Sequence, residues 1–143
     1  MNRMRRLKPV QDLAAQDERK AAAQLGENVG RVEEAQQRLG ELLAWERDYA
    51  ACMQQGAVNL SELQSYRLFM GKLGEAIEQQ RAAVAEAEHG VSQARTHWQT
   101  KYARHAALSK VIEQCRKDEV AAAERREQHQ LDEFNLIRTQ PKS

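Results

Sequence analysis

Aromatic side chains are scarce in this sequence, making up 5% of its 143 residues. With so few bulky apolar groups, burial per residue is small and a thick globular interior is excluded. Proline is nearly absent: Pro9 and Pro141 are the two in the chain, and everything between them is free to be helical. Cysteine is limited to Cys52 and Cys115, at a spacing that matches no metal or disulfide framework. A dominant charge is missing too. The formal net charge is +1 with both signs interspersed, which excludes a chain-wide field for nucleic acid or an anionic membrane. No apolar run approaches the ~20 residues of a membrane span. The basic start is not followed by the ~7–15-residue apolar core of a signal peptide. The expected location is the cytoplasm.

What the chain does have is charge and small or straight-chain residues. It is 30% charged and 41% hydrophobic, rich in Ala, Glu, Gln, Arg and Leu, the profile of a long helix or coiled coil. From Leu63 to Cys115 a period of 3.5 residues runs through Tyr66, Met70, Leu73, Ile77, Val84, Ala87, Val91, Ala94, Trp98, Leu108 and Ile112, with polar breaks at Gln80, Lys101 and His105. A helix carrying this pattern has a narrow apolar seam that follows a partner helix in a left-handed supercoil. Such a seam makes a rod, not a rounded core.

Before this stretch, Arg3, Arg5, Arg6 and Lys8 make residues 1–8 a basic arm. Pro9 suits the first position of a helix, where its missing N–H has no partner to lose. A first helix is expected over 9–54, with a seam of Ala14, Glu18, Ala21, Leu25, Asn28, Val32, Ala35, Leu39, Leu42, Glu46, Tyr49 and Met53. Gly56 can take a left-handed conformation that ends it, and Asn59 or Ser61 can cap the next helix. The spacing therefore predicts a turn at 55–61, a second helix over 61–138 and a tail at 139–143.

A short loop between two long amphipathic helices makes them antiparallel neighbours. The fold class is all-α: an antiparallel two-helix coiled-coil hairpin whose longer C-terminal helix overhangs the N-terminal one. Arms of ~67 Å and ~117 Å follow from the helical rise, with an overhang of about 33 residues. In that overhang the seam loses its apolar character, and Val120, Leu131, Phe134 and Ile137 mark a weaker, shifted stripe. The hairpin separates Cys52 from Cys115 far beyond the ~7 Å a disulfide spans.

Catalytic patterns are missing. No Gly-rich phosphate loop, nucleophile elbow or His-Glu-x-x-His occurs, so no catalytic residue, metal site or cofactor is assigned and the chain is not expected to be an enzyme. His129 and Glu133 have the spacing that puts two groups on one helix face, where a solvated pair is the simpler reading. Residues 3–8 are the only cluster suited to phosphate, too small a footprint for a nucleic-acid partner. What remains is surface outside the seam. Trp45 lies beside Leu42 and Tyr49, and Phe69 flanks the second seam with Ala76, a pattern that marks either a docking site or a covered seam edge.

These residues resemble a known family. LLAWERDYAACMQQG at 42–56, LQSYRLFMGKLGEAIEQQR at 63–81 and AERREQHQLDEFNLIR at 123–138, after the LKPVQDLA start, resemble FliJ, the small coiled-coil protein of the flagellar export apparatus. The resemblance implies a non-enzymatic stalk and general chaperone-escort component of flagellar type III protein export. Its implied partners are the hexameric export ATPase FliI, the membrane export gate protein FlhA and the export chaperones. The implied gate surface is Phe69, Leu73, Ala76 and Gln80, with Gln80 standing where a His is common. Leu42, Trp45 and Tyr49 match a further partner surface. The implied ring-inserting end combines Arg3, Arg5 and Arg6 with Arg125, Arg126, Leu131 and Phe134. The stalk of a virulence secretion system and a generic self-associating scaffold are the alternatives that the same pattern allows.

Overall fold

A computed structural model describes residues 2–56 and 59–139 of the chain. Met1 of the expected arm, Ala57 and Val58 of the expected turn and residues 140–143 of the expected tail lie outside the described residues. Two helices account for nearly all the rest, α1 (Asn2–Gln54) and α2 (Leu60–Thr139), with no strand among the described residues. They pack against each other as an antiparallel hairpin.

The junction is built from local hydrogen bonds. At the end of α1 the N–H of Gln55 donates to the Cys52 carbonyl at 3.3 Å, a tightened last turn. No glycine among the described residues has a positive φ, so the left-handed stop expected at Gly56 is corrected to this tight turn. The start of α2 is capped by Asn59, whose Oδ1 accepts from the N–H of Glu62 at 2.8 Å while its carbonyl accepts from Leu63 at 3.0 Å. Asn59, and not Ser61, is therefore the cap.

The chain divides into two compact units, residues 20–99 and residues 1–19 with 100–143. In the first unit, Leu42, Leu73 and Ile77 form the buried cluster, and Leu39, Leu43, Met70 and Ala76 close around it. Full burial of one such aliphatic side chain is worth about 1.5–3 kcal/mol, which makes this cluster the unit's main apolar anchor. Three contacts set the antiparallel register: Tyr49 on Phe69, Gln80 on the Ala35 carbonyl, and Asn28 beside Gly90.

In the second unit, Ala14 and Cys115 are buried, and Leu7, Leu108 and Ile112 are half-buried. The Gln11 amide donates to Ser109 Oγ at 3.0 Å, fixing the register there. Residues 2–8 are helical in this unit, which corrects the basic arm expected at 1–8. The same seam spacing runs back from Ala14 through Gln11, Leu7 and Met4, all half-buried, while Pro9 faces solvent. Tertiary packing of that stripe overrides the local preference of Pro9 to begin a helix.

The earlier start of α1 shortens the overhang. The Gln11 to Ser109 pairing puts Asn2 level with about residue 118, so roughly the 21 residues from Glu119 to Thr139 extend beyond α1, not the 33 expected. Ala122 and Ala123 are still half-buried, and every described residue from Glu124 onward is exposed.

Candidate docking surfaces

Seam positions of α2 from Tyr66 to Cys115 are all buried or half-buried, the polar breaks included. That accounting decides which of the expected surface residues are free. Leu73 is 6% exposed and Leu42 is 5% exposed, both inside the buried cluster. Their assignment to docking surfaces is corrected: each faces the opposite helix, because each occupies a seam position. Gln80 is half-buried, and its Nε2 donates to the Ala35 carbonyl at 2.9 Å, so its amide already has a partner within the hairpin. Ala76 is half-buried at the edge of the cluster.

Phe69 and Tyr49 remain, and they meet. Their rings stack with centroids 4.3 Å apart and an interplanar angle of 27°. The two surfaces expected as separate are thus joined across the hairpin at this pair. Both rings are still substantially exposed, Phe69 at 37% and Tyr49 at 46%. Beside them lies an open groove of about 350 Å³, floored by Met53 and Tyr66 and edged by Ser61, Glu62 and Ser65. Trp45, one turn before Tyr49, is 49% exposed and lies under the Arg38 guanidinium, 5.4 Å from the ring centroid. The sequence places Met53 and Tyr66 only as seam positions; their place at the turn-proximal end of the seam is the signal that they also border this groove. Leu60 and Leu68 near the turn are exposed as well, and neither belongs to the seam pattern.

The expected ring-inserting residues are arranged in sequence along the second unit. Arg3, Arg5 and Arg6 are exposed on the first turns of α1. Arg125 and Arg126 follow on the overhang, roughly 7–8 residues beyond the level of Asn2, or about 11 Å along α2. Leu131 and Phe134 lie farther out, and Leu136 and Ile137 extend the apolar tip. The structure does not gather the two groups at one place: the three arginines lie on α1, and the others are spaced along the end of α2.

Several ion pairs among the described residues lie at the surface. Arg116 donates to Glu113 through Nη2 at 2.7 Å and Nε at 3.1 Å. This hydrogen bonding holds the Glu113 carboxyl below its ordinary value, and it raises the Arg116 guanidinium. His129 Nε2 lies 3.1 Å from Glu133 Oε1, with both side chains in solvent. No group of three or more His, Cys, Asp or Glu among the described residues is placed to hold a metal ion. The first unit offers stacked aromatics for binding, and the second offers exposed apolar side chains on a single helix.

A family model described as "Flagellar FliJ protein" matches residues 3–142. The chain belongs to the FliJ family. A search of curated proteins gives no match. As a FliJ-family chain it is a coiled-coil protein associated with flagellar export, and the family is of a structural, non-catalytic type. No described helix is long and apolar enough to cross a membrane.

Proposed function

We propose that this FliJ-family chain is a stalk and coupling component of flagellar type III protein export. Its overhang inserts into the ring of the export ATPase FliI, and its aromatic surface contacts the export gate protein FlhA. The observation that carries this reading is the single-helix end of α2, where Leu131, Phe134, Leu136 and Ile137 are 57–71% exposed with no α1 opposite them. Apolar side chains on a lone helix are covered only by a partner that surrounds or grips the helix, and a ring does both. The gate contact falls on Phe69, Ala76, Tyr49 and Trp45, since Leu42 and Leu73 are consumed by the hairpin. In this role the protein also escorts export chaperones, and it works in the cytoplasm, associated peripherally with the inner membrane at the flagellar base.

An ATPase assay of purified FliI tests the ring contact. Full-length protein is expected to raise hydrolysis, and a version ending near Glu119 to raise it several-fold less while keeping the hairpin. Equal stimulation by both versions removes the overhang from the mechanism, and no stimulation by either removes the stalk reading.

A further inference from the structure

The first turns of α1 are helical against several local signals. No acidic residue lies in the first turn, while Arg3, Arg5 and Arg6 place positive charge at the end where the helix dipole is already positive. Pro9 sits inside the helix, so the Arg5 carbonyl has no N–H four residues on. Gln11 takes a seam position where an apolar layer is wanted, and bonds instead to Ser109. Met4 and Leu7 are half-buried, and with the Gln11–Ser109 hydrogen bond they are the contacts described between this segment and α2. The facing part of α2 has no such defects: Leu108, Ile112 and Cys115 continue its seam, and Glu113 pairs with Arg116 one turn on.

We propose that residues 2–11 of α1 form a strap that opens by local unfolding far more often than the hairpin as a whole, baring Leu108, Ile112 and Cys115 of α2. Opening lengthens the single-helix end of α2 by about three turns without melting it. The device is a property of the fold and does not depend on the export reading. Cys115 reports it directly. Cys115 is 7% exposed, and the register set by Gln11 and Ser109 puts Met4 and Leu7 level with it and Ile112, so lifting the strap opens the sulfur to a reagent.

The test is alkylation of Cys115 by iodoacetamide, in which the thiolate displaces iodide, on full-length protein carrying Cys52→Ser to remove the exposed second thiol. Native-state labelling is expected at least tenfold faster than global unfolding allows, with little dependence on denaturant. Pro9→Ala, which restores the missing donor on an exposed face, slows it at least tenfold. Leu7→Ala speeds it several-fold. Ile77→Val, in the buried cluster of the other unit, lowers the unfolding midpoint but changes the labelling rate by less than twofold. Labelling that carries the full denaturant slope of unfolding and accelerates with Ile77→Val overturns the strap. So does a rate that Pro9→Ala leaves unchanged.

Discussion

Tyr49 of α1 and Phe69 of α2 stack across the hairpin with their ring centroids 4.3 Å apart. The pair closes the seam near the turn, and it also leaves two aromatic faces in solvent. Offset aromatic pairs contribute about 0.5–1.5 kcal/mol beyond the area they bury. A double-mutant cycle with Tyr49→Ala and Phe69→Ala is therefore expected to give a coupling energy in that range by chemical denaturation. A coupling near zero means that the rings lie side by side without stabilising one another.

Phe69 and Leu73 are one helical turn apart, 37% and 6% exposed, and under the proposed gate contact they do different work. Phe69→Ala removes an exposed ring and is expected to weaken binding to FlhA while leaving the far-ultraviolet circular dichroism intact. Leu73→Ala opens a cavity in the cluster with Leu42 and Ile77, at about 2–5 kcal/mol. Any loss of binding in that variant should track loss of helix. If Phe69→Ala also unfolds the hairpin, the ring belongs to the core and not to a docking face.

The contrast between these neighbours shows what was legible in the sequence. A 3.5-residue period located both helices and nearly every buried position, because a two-helix hairpin has one interface and burial there depends on spacing alone. Leu73 fell on the seam by that count, and the seam assignment was the correct one. Asn59 was legible as a cap from residue type, though Ser61 competed for the role. The start of α1 was not legible. Pro9 and the basic cluster argue locally for an arm, and only pairing with Leu108, Ile112 and Cys115, about a hundred residues away, outweighs them. The stacking of Tyr49 on Phe69 was also hidden, since a seam pattern states which face is buried and not which side chains meet across it.

Surface charge has a smaller, pH-dependent part. Hydrogen bonds from Arg116 hold the Glu113 carboxyl below its ordinary value, with the charges of Arg116 and Lys117 acting in the same direction against a desolvation that opposes them. A carboxyl depressed in the folded state contributes stability above its unfolded pKa, and that contribution is lost as pH falls through the folded value. Glu113→Gln is thus expected to flatten the acid limb of the melting temperature, measured from neutral pH to below about pH 4. At neutral pH the same variant should melt slightly below the parent, and the two should converge in acid; the gap stays small because exposed ion pairs are worth little.

Gly90 and Asn28 give the sharpest steric prediction. A Cβ added at Gly90 meets Asn28 Oδ1 at 2.8 Å, and that side chain is held in place because its Nδ2 donates to the Gln24 carbonyl at 2.8 Å. At Gly30, Gly40 and Gly71 the added Cβ meets nothing within 4 Å. Glycine in a helix interior costs about 1 kcal/mol against alanine, so Ala at these three open positions is expected to raise stability by roughly 0.5–1 kcal/mol each. Gly90→Ala should return little or none of that gain, since the clash cancels the entropy term. Removing the obstacle restores it: Gly90→Ala combined with Asn28→Ala is expected to exceed the sum of the single changes, a coupling that thermal and chemical denaturation both resolve. Strict additivity of the two substitutions means that Asn28 swings aside freely and that the small residue at 90 is not needed for the close approach of α1 and α2.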